Sequence, residues 1–132
     1  FAGCAAGGCA ASSKGEATRL LRAVDHFRHV PDAAKTDEAR AIASLACTDP
    51  KVCEAKRVCV AALEPTARAL FLKEDVASRV RDIEQARLAP NAPEAQRLPA
   101  ELDEAERLLR DGRDRMPECE RKLTDLSVDY GV

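Results

Sequence analysis

The sequence has no Trp, one Tyr and three Phe, so aromatic side chains make up only 3% of its 132 residues. Any core must therefore be built mainly from Ala, Leu and Val. No run approaches the roughly 18 apolar residues that a membrane-crossing helix needs. An excess of one charge is missing too: 21 basic and 23 acidic residues leave a net charge of −2. That balance gives no electrostatic reason to expect nucleic acid, whose binding wants a clustered positive face. There is no C-x-x-C, which excludes a zinc knuckle, a thioredoxin-type pair and a haem attachment site. Neither a G-x-S-x-G elbow nor a Gly-rich phosphate loop is present, and Ser12, Ser13, Ser44, Ser78 and Ser127 stand in no nucleophile motif.

What is present suits one helical domain. Hydrophobic residues are 45% and charged residues 33%, enough to bury a core and too apolar for a disordered tail. From about Glu16 onward the apolar period is three to four. Ala17, Leu20, Leu21, Val24 and Phe27 form a first stripe, closed by Pro31. Thr36 followed by Asp37 and Glu38 reads as an N-cap opening a short helix through Ala39, Ile42 and Ala46. Asp49-Pro50 is the sharpest start signal, a capping acceptor followed by Pro at the first helical position. That helix runs through Val52, Cys53, Val58, Cys59 and Leu63, and Pro65 is expected to bend or interrupt it. Another segment follows through Ala69, Leu72, Val76, Val80 and Ile83 to a loop at Pro90-Asn91-Ala92-Pro93.

The last stripe is the longest. Leu98, Leu102, Ala105, Leu109, Gly112, Met116, Cys119, Leu123 and Leu126 alternate four and three apart, the spacing of a helix in a left-handed bundle. Asp103/Arg107, Glu106/Arg110, Asp111/Arg115 and Glu118/Lys122 place acid four residues before base on its outer faces. Pro117 should kink it, with Gly112 softening the preceding turn. The expected fold is an all-α bundle of four to five helices with a long kinked C-terminal helix. Residues 16–132 form the bundle, and residues 1–15, rich in Ala, Gly and Ser, form a flexible tether.

Cysteine spacing adds about two disulfides. With Asp49 as N-cap, Cys47 lies two residues outside the helix and Cys53 is its fourth residue, so Cys47–Cys53 can clamp the corner between them. Cys59 is then left for Cys119, on the core stripe of the last helix; a swapped Cys53–Cys119 pairing is also compatible. Cys53 and Cys59, six apart on a helix, face different directions and cannot share a metal ion. Such bridges belong to an oxidising compartment.

The N-terminal Phe1-Ala2-Gly3-Cys4, an apolar residue and two small ones before Cys, resembles the lipobox of bacterial lipoproteins. The resemblance covers four residues. It implies that Phe1 to Gly3 end a signal peptide and that Cys4 carries the lipid, which would anchor the protein to a membrane. Ala6-Gly7-Gly8-Cys9 is the alternative. Lipidation at Cys4 leaves Cys9 without a partner, whereas lipidation at Cys9 removes the odd thiol together with Cys4. Because Ala5 follows Cys4 where many inner-membrane lipoproteins carry Asp, the resemblance implies the periplasmic side of the outer membrane.

Chemistry is sparse. His26 and His29 share a helical face three residues apart, with Asp25 placed to orient one, so a bis-His metal or small-ligand site is a second reading; it would make the protein a periplasmic sensor bundle. Two His at a helix C-terminus, where positive charge is favoured, is the plainer one. Leu70-Phe71-Leu72 is too wide for one core stripe, so Phe71 is a candidate partner contact, as is Tyr130 in the C-terminal tail. The sequence thus implies a non-catalytic, cofactor-free envelope lipoprotein, an accessory, scaffold or interaction subunit meeting another envelope protein. Homo-oligomerisation along the Leu98–Leu126 stripe is a further option.

Overall fold

A computed structural model describes residues 6–132, with side chains from Ser13 onward. The chain forms α1 (Ala6–His29), a 3₁₀ turn (Asp32–Ala34), α2 (Lys35–Ala43), α3 (Pro50–Glu84), the single turn α4 (Pro93–Gln96) and α5 (Leu98–Tyr130). Among the described residues there is no strand, and the fold is the expected all-α bundle.

The helices α3 and α5 form its spine. They run antiparallel, since Asp49 meets Tyr130 at one end while Arg79 meets Glu101 toward the other. The contact between them is the most extensive in the molecule; α2 packs on α3, and α1 touches α2, α3 and α5. The core is aliphatic. Leu20, Ile42, Leu63 and Leu126 are its largest fully buried side chains, joined by Val24, Val52, Cys59 and Cys119. Burying one Leu or Val fully contributes about 1.5–3 kcal/mol, so these few positions are a large share of a domain's net stability.

Four local expectations are revised. First, Pro65 does not interrupt its helix, and α3 continues through it for 35 residues. A Pro removes one backbone bond at a cost of about 3 kcal/mol. Here Ala62, Leu63, Ala67 and Ala69 are all buried, so packing on both sides holds the register. Second, Gly112 does more than loosen a turn. A Cβ there would stand 2.1 Å from Thr66 Oγ1 and 3.0 Å from the Ala62 carbonyl oxygen, so α5 approaches α3 closely beside Pro65. Third, Thr36 is not a cap. The 3₁₀ turn runs straight into α2, and Ala34 precedes the first helical residue with no side-chain cap. That helix also stops at Ala43, leaving Ala46 exposed while Leu45 packs against the core.

The fourth revision concerns the tether. The backbone is helical from Ala6, so α1 includes much of the stretch expected as flexible. Ala is the strongest helix former, and extending an already nucleated helix adds one hydrogen bond per residue fixed. Pro117, by contrast, does what its sequence position implies: it lies inside α5, which is bent.

Both expected bridges are present. Cys47 and Cys53 are joined with their Cα atoms 5.4 Å apart, and Cys59 joins Cys119 with Cα atoms at 4.6 Å. The second is wholly buried and ties the middle of α3 to α5.

Candidate functional site

The most densely organised polar region is the corner where α1, the 44–49 loop, α3 and α5 converge. Asp49 caps α3 by accepting from the amides of Lys51 at 2.8 Å and Val52 at 3.2 Å. Its other carboxylate oxygen accepts the Tyr130 hydroxyl from the end of α5. That hydroxyl, followed by the two amides, holds the Asp49 carboxyl below its ordinary range. The same hydrogen bond, reinforced by burial and the carboxylate's charge, pushes Tyr130 up to about 12. Lys51 adds an ion pair to Asp129 at 3.0 Å on the surface beside them.

Glu16 completes the corner from α1. It is 4% exposed and bidentate on Thr48, whose amide lies 2.9 Å from both carboxylate oxygens. The Thr48 hydroxyl donates to it at 2.8 Å and the Asp49 amide at 3.1 Å. The Thr48 and Asp49 amides hold its carboxyl below the usual range, against the opposing effect of burial. A buried carboxylate normally costs several kcal/mol unless its lone pairs are filled. Here they are filled by loop donors that have no helix to bond to. Sequence reasoning did not single out Glu16; the only local signal is a charge four residues before Leu20 on the otherwise apolar stripe.

At this corner two carboxylates lock together three segments far apart in sequence.

The two His have separate partners. His26 Nδ1 lies 3.0 Å from Glu38 Oε2, linking α1 to α2, while His29 Nδ1 lies 2.8 Å from the Asp25 carbonyl oxygen. Their side chains are 62% and 73% exposed. Among the described residues no group of three or more His, Cys, Asp or Glu side chains is gathered for a metal.

Phe71 is 58% exposed, as the width of its triplet implied. It lines a groove of about 600 Å³ between α2 and α3, with Thr36, Ala39, Arg40, Ala67 and Arg68. Tyr130 is occupied inside the fold: its ring packs against the core and its hydroxyl bonds Asp49. Val128 is the exposed apolar residue of that tail, at 76%. The Leu98–Leu126 stripe is largely consumed within the chain. Ala105, Gly112, Cys119, Leu123 and Leu126 are buried, which leaves only Leu102 of the stripe exposed. Cys4 lies outside the described residues. Cys9 falls within the backbone of α1, and its side chain is outside the description.

The chain matches no protein-family model. Comparison with curated proteins and with solved structures finds no similar chain either.

Proposed function

We propose that the protein is a non-catalytic lipoprotein of the bacterial cell envelope, acting as an accessory or scaffold subunit that binds another envelope protein. The two disulfides carry this reading. Cys47–Cys53 and Cys59–Cys119 pair four of the six cysteines, and such bridges persist in exported proteins, not in reducing compartments. The lipobox-like Phe1-Ala2-Gly3-Cys4 then accounts for Cys4 as the lipid attachment point, with Cys9 as the alternative.

The architecture suits an anchored subunit. Glu16, the eleventh of the 24 residues of α1, touches Thr48 and Asp49, so the N-terminal half of α1 reaches the capped end of α3. From Asp49, the 35 residues of α3 extend about 50 Å at 1.5 Å per residue. Phe71 sits about 30 Å along that helix, well removed from the anchored corner. Phe71 is the proposed partner contact, since exposed aromatic anchors dominate interfaces.

The test is fractionation. Wild-type protein should sediment with membranes and be released by detergent. Cys4→Ala, exported behind a signal peptide whose cleavage needs no lipidated Cys, should move to the soluble periplasmic fraction with both disulfides intact. Membrane association that survives loss of both Cys4 and Cys9 would contradict a lipid anchor. Phe71→Asp should leave the melting temperature unchanged while weakening copurification of the partner.

A further inference from the structure

The two disulfides occupy different environments. Cys59 and Cys119 are both 0% exposed and sit in the α3–α5 core beneath Val58, Ala62 and Leu123. Cys47 and Cys53 are both half-buried, and they close a loop that carries three exposed or partly exposed residues, Thr48 to Pro50. The bridges also hold different things. Cys59–Cys119 joins two long helices that already share the most extensive packing in the molecule. Cys47–Cys53 fastens the 44–49 loop to the first turn of α3, next to the end of α2. That loop has little apolar burial of its own; Leu45 and Cys47 only flank the core. Its remaining ties are polar: Glu16 on Thr48 and Asp49, the Asp49 carboxylate on the first amides of α3 and the Tyr130 hydroxyl, and the Lys56 ammonium on the Leu45 carbonyl at 2.9 Å and the Ala43 carbonyl at 3.3 Å.

From this contrast we propose that Cys47–Cys53 is a redox-sensitive latch that a dithiol opens in the folded protein, whereas Cys59–Cys119 is a permanent staple. A thiolate of the dithiol attacks one sulfur of the latch, forming a mixed disulfide and releasing the other cysteine as a thiolate. The second thiol of the reagent displaces the remaining cysteine and closes the reagent's own disulfide. Two electrons pass from the dithiol to the cystine, and the two protons end on Cys47 and Cys53. The reaction needs the sulfur to be reached, which local opening of a surface loop permits. Reaching Cys59–Cys119 requires separating α3 from α5, an opening close to global unfolding.

Opening the latch has a defined structural consequence. The loop is then held by polar ties alone, from the Glu16 carboxylate, the Lys56 ammonium and the Asp49 side chain, which caps α3 and accepts the Tyr130 hydroxyl, and the connection from α2 into α3 loses its crosslink. Since α2 forms one wall of the Phe71 groove, the latch state sets how firmly that wall is held. The redox claim itself does not depend on any partner binding there.

The experiment is timed native-state reduction of the purified, full-length disulfide-bonded protein with dithiothreitol, acid quench, alkylation with iodoacetamide and peptide mapping. Labelling is read at Cys47, Cys53, Cys59 and Cys119, with helical content followed by circular dichroism. Cys47 and Cys53 should label together, faster than the other pair by a factor on the order of a hundred or more, while helicity is retained. Amide exchange should rise at Leu45, Thr48 and Asp49 and stay slow along Cys119 to Leu126. Equal rates at all four cysteines would overturn the proposal, because both bridges would then open through one global event. So would resistance of Cys47 and Cys53 until helicity is lost. As a second arm, Cys47→Ser/Cys53→Ser should keep the fold and reproduce the faster exchange without reductant; unchanged exchange in a folded variant would also overturn it.

Discussion

The carboxylate of Glu16 spans the amide and the hydroxyl of Thr48, 32 positions further along the chain, and so fixes the first helix to the start of the third. Removing the charge leaves the part-buried Thr48 and Asp49 donors with poorer partners. Glu16→Gln should destabilise the protein by about 1.5–3 kcal/mol, the range for hydrogen bonds to charged groups. Chemical denaturation of the disulfide-bonded protein measures it. A change below about 0.5 kcal/mol would show that the donors find solvent instead.

The same corner sets the pH response. Glu16 and Asp49 are both held below their ordinary values of 4.5 and 3.8, so their folded carboxylates are favoured over the unfolded ones. The stability they contribute is present above those ordinary values and is lost as pH falls through the lowered, folded ones. Tyr130 behaves in the opposite sense: raised from 10 to about 12, its contribution is complete below 10 and is lost as pH rises through about 12. Melting temperature should therefore be level near neutrality, fall below about pH 4.5 and fall again above pH 10. In Glu16→Gln the acid limb should shrink, while the alkaline limb should persist. An acid limb identical in the variant and the wild type would assign the response to other carboxylates.

The close approach at Gly112 gives a packing prediction. Gly112→Ala drives a methyl against Thr66 Oγ1 and the Ala62 carbonyl, and the Thr66 hydroxyl itself donates to that carbonyl at 3.1 Å. The expected cost is about 1–3 kcal/mol, as for overpacked cores. Pairing it with Thr66→Ala should recover part of the loss, since the nearest obstructing atom is removed. Additive losses in the double variant would mean that the strain lies in the backbone contact alone.

How much of this was legible depended on whether a signal was local. The Asp49-Pro50 start, the burial of Ala17, Leu20, Val24 and Phe27, and the pairing of Cys47 with Cys53 all follow from spacing within one or two turns. Cys59–Cys119 followed because few partners remained and Cys119 lay on a core stripe. Pro65 misled because a residue's local penalty is visible in sequence, while the packing on both sides that outweighs it is not. Leu109 shows the limit of a stripe: it keeps the four-three period yet is only half-buried. Of the four acid–base pairs read along α5, the ion pair formed is Asp111–Arg115 at 2.9 Å, while Arg107 turns to Glu104 at 4.0 Å. Glu16 stayed hidden because its partners lie 32 and 33 residues away.

The uneven burial of that stripe is itself testable. Leu126, 2% exposed, should lose about 2–5 kcal/mol on replacement by Ala, whereas Leu109→Ala should cost clearly less. Equal costs at the two sites would mean that Leu109 is covered by something beyond this chain, such as a second copy or the envelope partner.

A positive-φ residue offers a stabilising change. Ala86, two residues past the end of α3, has φ 58°, a left-handed conformation that Ala adopts at a cost of roughly 1–2 kcal/mol. Ala86→Gly should raise stability by about 0.5–1 kcal/mol once the extra chain entropy of Gly is offset. A lower melting temperature in the variant would place Ala86 in another conformation.

The claim on which the functional account rests is that the protein is an exported, lipid-anchored, disulfide-bonded bundle. Intact mass of the protein purified from its native membrane fraction, non-reduced and after thiol alkylation, tests it most directly. The account predicts a chain beginning at Cys4 with acyl chains added and with Cys47, Cys53, Cys59 and Cys119 protected from alkylation. An unacylated chain that alkylates at all four of those cysteines would contradict it.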